Sequence, residues 1–281
     1  MDRRARVLDW CTELQGSKRA VGLLRFALAA IVLIRYGDEV AFFAADDTIH
    51  ASLAIYFFVF TPLMLVGLYT RVAVPMVALT LAWMYLLGYL PDRVGWNHHH
   101  SCILMISVLF LAFTPCGRSY SVDRLRELQR SESGGGEPRP EYGRLWGTRL
   151  IGLQMSALYF WTAVDKTDWA FLSGQRLEQI VVWHHSGRAL EGLLLMPVFL
   201  VGASIIVVIV EYFLAFAIHI RRLQWIAIPM AIALHALFYV LLPVETYSVT
   251  MIVLYLAVLH PRAVHDFIDR MQGYAPAPHR A

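Results

Sequence analysis

Long apolar runs alternate with short polar breaks along this chain, and the runs have the length that a bilayer demands: a helix needs about 20 mostly apolar residues to cross the hydrocarbon core. Runs at 20–37, 53–70, 72–90, 97–114, 146–164, 193–219, 223–243 and 247–260 predict eight helices, because backbone groups in lipid must be paired within their own segment. The third, fourth and eighth runs are short for a full span, so six spans with re-entrant or tilted pieces is the alternative. Between helices 1–4 (20–114) and helices 5–8 (146–260), residues 116–145 start as a charged helix, "SVDRLRELQR", and turn Gly-, Pro- and Ser-rich, which predicts a flexible cytoplasmic linker. The tail 261–281 begins as an amphipathic interfacial helix and ends in Pro-rich disorder. No internal repeat is visible. The expected fold is all-α, a polytopic transmembrane helical bundle forming a single membrane domain over 1–281.

Composition sharpens this picture. Hydrophobic residues make up 58% of the chain and charged ones 16%, with a mean hydropathy of +0.54, well above ordinary soluble domains. The lipid bilayer is the expected surrounding, and nothing points to nucleic acid. The N-terminus is basic, but its apolar run continues past signal-peptide length without a small-residue cleavage site, so it is read as the first membrane helix. Cys11 precedes that helix, and Cys102 and Cys116 fall about 21 Å apart along one helix. That spacing predicts neither a disulfide nor a thiolate metal site.

Charge placement orients the bundle. With the N-terminus inside, the inner segments hold 18 lysines and arginines, among them Arg3, Arg4, Arg6, Arg71, Arg221, Arg222 and Arg280, and the outer segments hold four, Arg93, Lys166, Arg176 and Arg188. Because basic residues collect in cytoplasmic loops, both termini are expected inside. Arg25 and Arg35 lie within the first span and Glu211 within the sixth. A lone charge at mid-bilayer costs at least about 2.5 kcal/mol, so such residues pair or face a cavity. Arg25 and Glu211 fall at similar depths and are candidates to pair, while Arg35 sits close to Asp38 and Glu39. Packing ion pairs and a substrate-binding role both remain open for these three.

Lys166 is the unusual cation, because only it and Lys18 are lysines among the 24 basic residues. The fifth helix places Lys166 at its outer end, level with "WNHHHS" at the head of the fourth helix, and Tyr159 and Thr162 lie on the same helical face. It is either a snorkelling interfacial lysine or a base, since a desolvated lysine, unlike arginine, can lose its proton. His98, His99 and His100 fan out by about 100° each on a helix, so they do not form the one-sided spacing of a metal site. One of them, with Trp96 and Asn97, is expected to line an outer pocket. His235, inside the seventh helix, is either a hydrogen-bonded packing residue or a proton carrier. After a Ser-Gly turn, Leu177, Ile180, Val181 and His184 recur at helical spacing, an interfacial helix that serves as a lid or as a plain connector.

Three blocks together resemble a known family. "WNHHHSCILMISVLFLAFTPCGRSYSVDRL", "YFWTAVDKTDWAFLSGQRL" and "EYFLAFAIHIRRLQWIAIPMAIALHALFYVLLP" are similar in order and spacing to the signatures of the HTTM (horizontally transferred transmembrane) domain family, whose best-known member is vitamin K-dependent gamma-carboxylase. The resemblance implies that Lys166 is a base toward reduced vitamin K or another quinol, that His100, directly before Ser101, is the pocket histidine with His98 and His99 as rivals, and that His235 is the second catalytic histidine. Oxygen addition to the deprotonated quinol then produces the strong base that opens glutamate for carbon dioxide, with the epoxide as second product. The chain departs from the carboxylase in carrying Asp165 and Lys166 where that enzyme has two lysines, in a slipped register through "DKTDWA", and in lacking the large extramembrane domain that grips the substrate peptide. Peptide carboxylation is therefore expected only with a separately encoded extramembrane subunit. The other implied role is a non-catalytic accessory factor maturing a secreted peptide or protein. The implied location is the bacterial inner membrane.

Overall fold

A computed structural model describes residues 14–91 and 94–273; the charges at Arg3, Arg4, Arg6, Arg93 and Arg280, together with Cys11 and the Pro-rich end, lie outside the described residues. The described elements are β1 (Gln15–Ser17), α1 (Arg19–Phe43), α2 (Thr48–Val66), α3 (Thr70–Leu87), α4 (His99–Leu111), α5 (Val122–Glu132), β2 (Tyr142–Arg144), α6 (Gly147–Asp165), α7 (Trp169–Leu172), α8 (Gln175–His185), α9 (Glu191–Leu194), α10 (Pro197–Ala217), α11 (Gln224–Leu241), α12 (Glu245–Val258) and α13 (Pro261–Met271), with a 3-10 turn at Cys116–Arg118.

Five of these helices, α1, α2, α3, α10 and α11, are long and apolar enough to cross a membrane; α12 with α13, bent by 100°, makes a sixth if the pair is one broken span. The expectation of eight exceeds that number for physical reasons. At 1.5 Å per residue, the 13 residues of α4 extend about 20 Å, short of the core thickness. The 14 residues of α12 extend about the same. α6 has 19 residues but is diluted by Arg149, Gln154, Ser156, Thr162 and Asp165. Outward apolar side chains such as Ile34, 81% exposed, and Val198, 87% exposed, are the lipid-facing surface of such helices, which associate by close packing and polar contacts because lipid supplies no hydrophobic drive.

The chain divides into two compact units, Met1–Ile151 with Leu256–Ala281, and Gly152–Tyr255. In the first, α1 buries Val21, Leu24, Arg25, Leu28, Val32, Tyr36 and Val40, a stripe at three- and four-residue spacing. α2 starts where Asp47 accepts the Ile49 and His50 amides, and ends at Gly67 in the left-handed region, φ 73°. A Cβ at Gly67 would stand 1.5 Å from Nη1 of Arg25, so only glycine supplies both the turn and the room for that guanidinium. Arg25 is fully buried and donates from Nη2 to the Tyr120 carbonyl at 2.5 Å.

Of the stretch 116–145 expected as a linker, the charged start is α5. Asp123 on α5 caps α3 by accepting from the Tyr69 amide, the Thr70 amide and the Thr70 hydroxyl at 2.8, 2.8 and 2.7 Å. Glu127 gathers Arg118 and Arg124 and accepts the Arg139 amide. β2 pairs antiparallel with β1, Gln15 opposite Arg144 and Ser17 opposite Tyr142, and Lys18 donates to the carbonyls of Pro140 and Tyr142 at 2.8 and 3.2 Å. Burial, and after it the Arg124 guanidinium, hold the Lys18 ammonium below the ordinary lysine range. α13 turns Val264, His265 and Asp269 inward: His265 Nδ1 meets the Ser17 hydroxyl at 3.1 Å and Asp269 accepts from Arg19. In the second unit, Val181 of α8 packs with Leu194 and Leu200, and His185 Nε2 donates to the Leu241 carbonyl at 2.8 Å.

Candidate functional site

The polar residues of the second unit converge where α6 ends. The Lys166 amide still donates to the Thr162 carbonyl, 3.1 Å, so its side chain follows the helical face already set by Tyr159 and Thr162. Its ammonium donates to both oxygens of Glu211 on α10, at 2.6 and 2.8 Å. Glu211 is 1% exposed in its side chain and Lys166 22%. The Thr162 hydroxyl stands beside the same carboxylate, and the Phe171 ring lies 6.0 Å from the ammonium.

One turn further back, the fully buried Tyr159 joins α11 and α12. Its phenol oxygen lies 2.6 Å from Nε2 of His235 and 2.7 Å from the hydroxyl of Tyr255. The Tyr247 and Phe238 rings pack on the imidazole at 5.4 and 5.8 Å. The proton count of this chain is constrained. A phenol has one proton, so Tyr159 donates to His235 while accepting from Tyr255, or donates to Tyr255 while accepting from Nε2–H. In both arrangements Nδ1 of His235 is buried without a partner, at a cost of about 1–3 kcal/mol unless something polar meets it.

Lys166, Tyr159, His235 and Glu211 are thus brought together within one unit. The pairing foreseen for Glu211 needs correction: its partner is Lys166, while Arg25 donates to the Tyr120 carbonyl. Depth was counted along each helix as if all ends were level, but α6 and α10 are staggered. Ser156 meets His219 at 2.7 Å and Lys166 meets Glu211, so the end of α6 stands beside the last third of α10. Tyr255 and Tyr247 escaped the sequence reading because tyrosines in an apolar helix look like core. The signal that marks them is their eight-residue spacing, which puts both on one face.

The other candidates lie in the first unit. Arg35 donates to Glu39 at 2.5 Å, and the same carboxylate accepts from Nε1 of the buried Trp96. His98 occupies the N-cap position of α4 and stacks on His100 with ring centroids 5.3 Å apart; His99 opens the helix. Nε2 of His100 is buried without a partner, and the adjacent Ser101 meets the Tyr36 hydroxyl at 2.8 Å. Exposed Asn97 donates to the Gly88 carbonyl at 3.2 Å. Cys102 and Cys116 are free thiols.

Among the described residues, no group of three or more His, Cys, Asp or Glu side chains is placed to hold a metal ion. What the second unit does offer is a graded set: a cation in contact with both oxygens of a buried carboxylate at 2.6 and 2.8 Å, and a buried phenol–imidazole chain about two turns back along α6.

No curated protein and no solved structure matches the chain. A family model does: the HTTM domain matches residues 20–262, which covers all five apolar helices and both polar clusters. The match is to the family as a whole, and it agrees with a chain whose helices are built for a bilayer. This membrane protein belongs to the HTTM domain family.

Proposed function

We propose that the protein acts on a lipid-soluble quinol-type compound, reduced vitamin K or a related quinol, in an outward-facing pocket where Lys166 is the general base. The carrying observation is the bidentate contact of Lys166 with the buried Glu211, about two helical turns along α6 from the Tyr159–His235 pair. The sidedness rests on the basic residues, 18 on one side of the expected eight-helix topology and four on the other, which favours both termini in the cytoplasm of a bacterial inner membrane.

The residues present fit a hydroxylated aromatic ring. Nδ1 of His235 lacks a partner, the Tyr247 and Phe238 rings lie beside its imidazole, and the Phe171 ring lies near the Lys166 ammonium. A quinol supplies, when bound, a hydroxyl proton acidic enough for a side-chain base to take. In the ion pair Lys166 Nζ carries its full set of protons and is no base. Moving one proton across 2.6 Å to Glu211 Oε1 leaves a neutral amine beside a neutral acid, a transfer whose cost is reduced by the burial of Glu211, 1% exposed. Lys166 then takes the ligand proton and His235 Nδ1 orients a second polar atom, with the Phe171 ring of α7 lying 6.0 Å from the Lys166 ammonium.

Equilibrium dialysis of the purified protein against labelled menadiol under reducing conditions tests this reading, followed by ultraviolet difference spectra of the bound ligand. Wild type is expected to bind saturably and show the quinolate band. Lys166→Arg keeps the charge and is expected to keep binding while losing the band. A Lys166→Arg protein with the same band removes Lys166 as base, and indifference at Lys166, His100 and His235 alike favours the accessory role.

A further inference from the structure

A concave region lies in the first unit, lined by none of the residues to which the proposed function assigns a role. It is a cavity of about 940 Å³ bounded by the α2–α3 turn at Tyr69–Val72, the segment after α4 from Ala112 to Arg118, the outer face of α5, and the loop 135–139. Five arginines line it against three carboxylates. Two of the carboxylates are already engaged, Asp123 by the amides and hydroxyl at the start of α3 and Glu127 by Arg118, Arg124 and Arg139. That leaves Arg71, Arg126 and Arg130 facing the cavity with Glu137 as the remaining counter-charge, and Arg126 lies 5.5 Å over the Tyr69 ring, a contact that orients its guanidinium plane. Gly136, in the lining, takes φ 94° and has nothing within 4 Å of where a Cβ would be.

The surroundings specify the ligand class. Planar guanidinium groups converging on one space recognise phosphate oxygens. The cavity sits where two membrane-length helices, α2 and α3, turn round, and exposed Val72 and Phe113 form its apolar border. A solvated basic face would spread its arginines over a convex surface, whereas these line a hollow. We propose that this cavity binds a phosphate-bearing group through Arg71, Arg126 and Arg130, supplied by an anionic lipid headgroup or by a free phosphate compound.

The test uses the full chain in a phosphate-free maltoside detergent, titrated calorimetrically with short-chain phosphatidylglycerol and, separately, with inorganic pyrophosphate. Saturable binding of the lipid alone assigns the site to a headgroup; saturable binding of pyrophosphate assigns it to a free phosphate compound. The variant R71Q/R126Q/R130Q is expected to weaken binding on the order of a hundredfold, from about fivefold per arginine, while R221Q/R222Q, outside the cavity, leaves it unchanged. Glu137→Gln is expected to tighten binding severalfold, a gain that misfolding cannot produce. No saturation with either probe, an equal loss in R221Q/R222Q, or no gain in Glu137→Gln overturns the proposal.

Discussion

The two lysines of this chain show how differently one side chain can be used. Lys18 stands at the foot of α1 and donates to two neutral carbonyls, Pro140 and Tyr142, so it holds the strand pair together and brings no carboxylate with it. Lys166 stands at the end of α6 and donates to both oxygens of a carboxylate that is 1% exposed. Removing the first loses hydrogen bonds. Removing the second strands a buried charge. The contrast separates a cation that clamps two backbone carbonyls from a cation paired with a buried carboxylate.

The largest effect is expected from Glu211→Leu, which leaves Lys166 unpaired: about 3 kcal/mol of destabilisation, the low end for a buried pair because the lysine side chain is 22% exposed. The double variant K166M/E211L is expected to recover most of that loss, as buried ion pairs replaced by apolar residues usually do. Unfolding in detergent measures both, and a double variant as unstable as Glu211→Leu would show that the region depends on the charges themselves. Tyr159→Phe comes next, at about 2 kcal/mol, because His235 Nε2 and the Tyr255 hydroxyl both lose their shared partner; the same unfolding curves test it. Lys18→Met is expected to cost about 1 kcal/mol, with increased hydrogen exchange confined to residues 140–144. An Lys18→Met loss as large as that of Glu211→Leu would abolish the distinction between the two lysines.

The smallest effect belongs to acid. The Arg19 guanidinium holds the Asp269 carboxyl below the ordinary aspartate range. A depressed folded value means that this contribution is fully present above the unfolded value, about 3.9, and is lost as pH falls through the lower folded one. Hydrogen exchange in α13 is therefore expected to be flat from neutral pH down to about 4 and to rise below it, after correction for intrinsic exchange. An onset above the ordinary aspartate value contradicts the pair.

Much of this was legible beforehand, and the failures have physical causes. Helix existence followed from apolar run length, and the shared face of Tyr159, Thr162 and Lys166 followed from spacing alone. Partner choice across helices did not, because it depends on stagger: Glu211 and Arg25 match in counted depth, yet the end of α6 reaches Glu211 first. Against the expected eight spans, five described helices are long and apolar enough to cross, or six if α12 and α13 are one broken span, because α4 and α12 are short and α6 is diluted by polar residues. Strands of three residues such as β1 and β2 are too short for a period of two to register.

The docking of α13 on β1 has a consequence in time. Ser17 and Arg19 meet His265 and Asp269 nearly 250 positions later, and Arg19 also meets Glu141 midway. During synthesis the foot of α1 emerges before β2, and β2 before α13. α1 therefore waits for segments made long after it to secure its base, and the stage at which that base stops exchanging its amide protons marks the docking of α13.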